Sequence, residues 1–169
     1  MLIYHPAFDL YNCIFRMLQL LSNMKESEVE LDRLRIWDFY LTFPREARKI
    51  TFPRNLNQLK EFIFKEKEAN PYEDLVDAKR IIERMKSYQL SALKCLASYG
   101  FIDKQQLAKN IVRRTEKEIP TELKDKLSEL SAEKANTIKL VTGFWELPLY
   151  GVHGLKSRTG LIEYKYDAN

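Results

Sequence analysis

The stretch Tyr4-His-Pro-Ala-Phe-Asp-Leu-Tyr-Asn-Cys-Ile-Phe-Arg-Met-Leu-Gln-Leu-Leu-Ser-Asn-Met24 decides the fold class. Its apolar residues Phe8, Tyr11, Ile14, Phe15, Leu18 and Leu21 recur every three or four positions, the period of an α-helix. Pro6 suits the first helical turn, where a missing N–H costs nothing. The spacing therefore predicts one helix over 6–24, with His5 as a helix-start residue rather than a catalytic one. Leu10, Met17 and Leu20 widen the apolar face and leave a narrow polar stripe of Asp9, Asn12, Arg16, Gln19 and Asn23. A helix apolar over most of its circumference is central to a core or packed on a partner. We expect Asp9, Asn12 and Arg16, with the stripe around them, to face that partner.

The next stretch repeats the message. Ser27 with Glu30 has capping-box spacing, which predicts a helix start there. Leu31, Leu34, Ile36, Trp37, Phe39, Tyr40, Leu41 and Phe43 follow, and Pro44 ends the run. Arg45–Asn55 carries a proline and reads as a loop or short turn, and 56–68 as a short helix stopped by Asn70-Pro71. Tyr72–Ser98 is the longest periodic run. Asp103 is read as the cap of a further helix reaching about Thr115, with others opening near Thr121 and Ala132. The tail holds four of the five glycines; Leu161–Tyr166 reads as a strand with Leu147–Tyr150 as its partner.

The expected class is mainly α, with helix-turn-helix or winged-helix-like elements and a short C-terminal β-hairpin. Residues 1–68 form an apolar helical lobe with a basic loop, and 69–169 a winged-helix-like lobe with a glycine-rich β tail, or the two make one continuous domain. A chain of 169 residues buries roughly 70% of its unfolded surface, so it needs no disulfide or metal to fold. Cys13 and Cys95 fall in apolar helical patterns and read as reduced core thiols. No run of about 20 apolar residues occurs, so no membrane span is expected. The N-terminus lacks the pattern of a signal peptide, and the expected location is cytoplasmic.

The net charge is +4, and 44–67 carries all of it: seven bases, including Arg45 and Arg48, against three acids. We take Arg45 and Arg48 as candidate partner contacts. Lys109, Arg113 and Arg114 would share or flank one face of a second helix after the turn at Gly100, within reach of phosphates. A helical hairpin with a solvated basic face fits the same residues. Lys156 and Arg158 lie in the glycine-rich stretch Gly151–Gly160, which lacks P-loop spacing and fits either an anion contact or a plain hairpin turn. Trp145, beside Phe144, either locks the tail to the core or anchors an interface. The two histidines, His5 and His153, have no ligand set at metal spacing, and no nucleophile motif occurs. An enzyme is the weakest reading; no catalytic, cofactor-binding or metal residue is expected.

Three segments together carry a family resemblance: Ile3-Tyr-His-Pro-Ala-Phe-Asp-Leu-Tyr-Asn-Cys-Ile-Phe-Arg16, Leu31-Asp-Arg-Leu-Arg-Ile-Trp-Asp-Phe-Tyr-Leu-Thr-Phe-Pro44 and Gly154-Leu-Lys-Ser-Arg-Thr-Gly-Leu-Ile-Glu-Tyr164. The chain resembles the middle components of bacterial ABC three-component systems, a group that includes the small subunit of Lamassu-type anti-phage and anti-plasmid systems. The resemblance implies a non-catalytic subunit of a hetero-oligomer, set between an SMC/Rad50-like ATPase and a nuclease-like effector, with DNA as a further contact. ATP and magnesium would be bound by the partners, and no catalytic residue carries over. The residues alone also admit a free-standing winged-helix DNA-binding regulator.

Overall fold

A computed structural model describes residues 4–63 and 77–163. His5 Nδ1 accepts from Ala7 N at 3.0 Å and opens a 3-10 turn over Pro6–Phe8. Asp9 is extended, and its carboxylate accepts from Asn12 N at 2.8 Å to start helix α1 (Leu10–Asn23). The single helix expected over 6–24 is thus two pieces. A short acidic side chain is better placed capping orphan N–H groups than inside a helix. The buried side of α1 is Cys13 and residues 16–21, whereas Tyr11 is 82% exposed. Arg16 and Gln19, assigned by spacing to an outward stripe, point inward.

Residues 28–30 are not the first turn of a helix. Strand β1 (Glu28–Glu30) pairs antiparallel with β2 (Ile111–Arg113), in the register Glu28 to Arg113, Val29 to Val112 and Glu30 to Ile111. The ladder wins over the capping box because Val29 and Val112 bury their side chains beneath it. Helix α2 (Leu31–Thr42) then begins without a side-chain cap; Leu31 N donates instead to Asn110 O at 2.9 Å. All of α2 from Arg33 to Leu41 is buried. It is the central helix, packed by α1, by α3 (Ala78–Ser98) and by α6 (Ala132–Thr142).

The basic segment after Pro44 forms a 3-10 turn at Pro44–Lys49, within the stretch expected to be a loop or short turn, and a second at Arg54–Phe62, where the expected short helix begins. The end of that expected helix and the start of the 72–98 run lie outside the described residues. After α3, Asp103 does cap a helix, but α4 (Lys104–Leu107) has only four residues. Asn110, at φ 61°, turns the chain into β2. The β-branched pair Ile111-Val112 then prefers the sheet to helix continuation. The second helix expected to reach about Thr115 therefore ends after a single turn. Helices α5 (Thr121–Ser128) and α6 start where the sequence places them, with Ser131 Oγ accepting from Lys134 N to cap α6.

The tail also differs. Leu147–Tyr150 is not a strand, and the middle of the glycine-rich stretch is a short helix, α7 (Leu155–Thr159). Leu155 N and Lys156 N donate back to Pro148 O and Leu149 O at 2.8 and 3.2 Å, folding the tail onto itself. Residues 161–163 are not extended in a sheet, and 164–166 lie outside the described residues. Among the described residues the architecture is mainly helical, with one small antiparallel sheet formed by β1 and β2. One hydrophobic cluster runs through α1, α2, α3, α6 and α7, centred on Trp37, Phe39, Met85, Leu93 and Phe144.

Candidate interaction surfaces

Three charged residues of the central helix, Arg33, Arg35 and Asp38, are almost fully buried. Burying charge is costly unless it is paired and hydrogen-bonded. Here each charge is answered by another element. Arg16 of α1 donates to Asp38 from Nε at 2.6 Å and from Nη2 at 3.3 Å, and to Pro6 O at 2.9 Å. Gln89 of α3 donates to the same carboxylate at 2.9 Å and accepts from Arg35 Nε at 2.9 Å. Arg35 reaches Asp32 at 3.2 Å, and the Asp32 carboxylate meets Lys156 Nζ of α7 at 3.0 Å. A single polar network thus links the N-terminal turn to the C-terminal helix through the core.

Its electrostatics follow from that pairing. Burial works against the Arg16 charge, yet the Asp38 carboxylate outweighs it and holds the guanidinium pKa above its usual value. Burial, reinforced by Asp38, raises the Cys13 thiol far above the ordinary cysteine range. Burial raises the Tyr40 phenol likewise. Arg33 serves a second junction, donating to Phe144 O at 3.1 Å and Leu147 O at 2.7 Å, which fixes the exit of α6.

The candidate nucleic-acid residues are not gathered on one face. Lys109 is exposed in the turn after α4. Arg113 lies in β2, where its guanidinium meets the Glu28 carboxylate at 2.6 Å across the sheet. Arg114 donates to Glu26 O at 2.8 Å. Lys156 is 3% exposed and lies 4.8 Å from the Tyr150 ring centre, besides its bond to Asp32. Arg158 donates to His153 O and Thr51 O at 2.6 and 3.1 Å, and Thr51 N donates back to Arg158 O. Four of these five cations hold structure together.

The candidate partner contacts divide in the same way. Asp9 and Asn12 build the α1 cap, and Asn12 also donates to the hydroxyl of exposed Tyr4. Arg16 is internal. Arg48 donates to Arg45 O within the 3-10 turn at 44–49. Trp145 is half-buried, 6.0 Å from the Trp37 ring and 5.8 Å from the Arg33 guanidinium, and it also lines an open groove.

Spacing arguments missed the features that do stay open. A groove of about 530 Å³ runs between α3 and α4, lined by Leu31, Leu90, Ala97, Leu107 and Ala108 with Lys94 and Lys104. The signal was available as Leu90 and Ala97, seven apart on one side of α3. A second groove, of about 440 Å³, lies beside Trp37 and Trp145 and carries charges of both signs. Among the described residues no cluster of three or more His, Cys, Asp or Glu is placed to hold a metal ion, and no helix is long and apolar enough to cross a membrane.

No curated protein and no solved structure gave a significant match to the chain. A family model for the ABC-three component (ABC-3C) system Middle Component 5 matches residues 2–167. That match includes the buried network, the small sheet and the α3–α4 groove, and the chain accordingly belongs to the middle components of ABC three-component systems.

Proposed function

We propose that the chain is a non-catalytic adaptor that bridges an SMC/Rad50-like ATPase and a nuclease-like effector in bacterial anti-phage or anti-plasmid defence, of which Lamassu systems are the type it resembles. The family match over nearly the whole chain carries this reading, since a middle component works with partner subunits. The internal engagement of the charged residues supports it: Arg16, Arg33, Arg35, Asp38 and Lys156 hold helices together. ATP and magnesium belong to the ATPase in this reading, and the complex operates in the cytoplasm. DNA is a further contact of the assembled complex in this reading.

The test is a capture experiment. The ATPase subunit is immobilised and the effector subunit is offered with and without this chain. Bridging predicts capture of the effector only when the chain is present. Equal capture in its absence would overturn the bridging role. The free-standing winged-helix regulator has less support, because α4 ends at Leu107 and Arg113 and Arg114 are tied to the sheet and to Glu26.

A further inference from the structure

We propose that the groove between α3 and α4 is the docking site for a short amphipathic helix with acidic flanks, carried by a partner subunit. The inference rests on the reading of the chain as a subunit of a complex and names the surface that reading requires.

The floor is apolar and incompletely covered: Leu90, Ala97 and Leu107 are half-buried, and Ala108 is exposed. Its length along α3, from Leu90 to Ser98, is about 12 Å at 1.5 Å per residue. That is two turns, the span over which an amphipathic helix presents apolar residues at i, i+3 or i+4 and i+7. Charge then selects the partner's chemistry. Lys94 and Lys104 stand exposed on the wall, and Lys109 follows Ala108 on the adjoining turn. Among the described residues, none of the three forms an ion pair and none lining the groove is Asp or Glu. The neighbouring carboxylate of Asp103 is engaged in capping α4, accepting from Gln106 N at 2.9 Å. Three other grooves carry both signs: Lys124 with Glu116, Lys86 with Glu83, and Lys139 with Glu146. A single-sign rim around an apolar floor complements an apolar segment flanked by carboxylates and discourages a basic one.

The experiment uses the full chain with the other two subunits of its system. Two variants are compared with wild type: Lys94→Glu/Lys104→Glu, which reverses the rim, and Ala108→Arg, which fills the groove from an exposed position. Both are first required to melt like wild type, and Lys126→Glu, at an exposed position of α5, serves as a charge control. We expect each groove variant to weaken the complex on the order of tenfold, about 1.4 kcal/mol, with the control unchanged. Wild-type binding should also slow amide exchange over 90–98 and 104–110. A complex whose affinity is unchanged by both groove variants overturns the proposal and leaves the subunit reading intact. Protection of the groove by a DNA duplex instead of the subunits overturns it in favour of DNA. A self-dimer lost in Ala108→Arg overturns it in favour of a second copy. Failure of the wild-type chain to join the other subunits removes the subunit reading itself, and the groove assignment with it.

Discussion

Arg16 of α1 and Asp38 of α2 form an ion pair inside the core, Nε to Oδ1 at 2.6 Å, with side chains 6% and 0% exposed. Removing one partner of such a pair leaves a buried charge without compensation, which costs about 3–5 kcal/mol. We therefore expect Asp38→Ala to lower unfolding stability by that amount in urea melts. The double variant Arg16→Met/Asp38→Leu should recover most of the loss, since it removes both desolvation costs. A single-variant loss near zero would show that the pair contributes little to α1–α2 packing.

His5 gives a pH signature separate from the carboxylates. Its Nδ1 accepts from Ala7 N, so that nitrogen must be unprotonated. Burial and then nearby Arg16 lower its pKa below the usual 6.5. A depressed histidine means the unfolded chain binds the proton first, so stability is full above pH 6.5 and falls as pH drops below it. The lowered carboxyl pKa values of Asp9, held by hydrogen bonds from Asn12, and of Glu30, where Arg33 outweighs burial, act only at lower pH. Melts between pH 7 and 5.5 should show a shallow loss that His5→Asn, which keeps a capping oxygen, abolishes. An identical slope in that variant would exclude His5 as the source.

Two glycines of the tail are required for different reasons. A Cβ on Gly154 would meet Tyr150 O and Leu149 O, both backbone atoms. Gly160 has open space but lies at φ 65°, ending α7 in the left-handed region. Gly160→Ala should cost roughly 1 kcal/mol from backbone conformation alone, and Gly160→Asn less. Gly154→Ala should cost more, because the carbonyls must move and α7 with them. The reverse order in chemical denaturation would contradict this account of the turn.

The two thiols should differ sharply in reactivity. Cys13 is fully buried, and its thiol is held protonated by burial and Asp38, whereas Cys95 is half-buried on α3. Thiolate is the reactive form. A disulfide reagent should label one thiol in the native protein, identified by mass as Cys95, and two after unfolding. Prompt native labelling of Cys13 would show that the α1–α2 seam opens.

How much of this was legible in the sequence depends on where each residue's partner lies. The bodies of α1, α2, α5 and α6 announce themselves through local periodicity, though the starts of α1 and α2 do not, and His5 announces itself through the proline beside it. Local reading failed at Ser27–Glu30, where a capping-box spacing lost to a strand partner more than 80 residues away. It failed again at Lys109–Arg114, because a three-residue strand has too little alternation to outweigh the helix-like basic spacing. Arg16 and Lys156 read as surface charges for the same reason: Asp38 and Asp32 become their neighbours only in the folded chain. The α3–α4 groove shows in sequence only as Leu90 and Ala97 seven apart, since a groove is what packing leaves uncovered.

The most direct measurement is co-expression of this chain with the other two components of its system, followed by size-exclusion chromatography with light scattering. The account predicts one peak containing all three chains, at a mass that accounts for each of them. Elution of this chain alone at monomer mass, with the other two components unaffected by its removal, would contradict it.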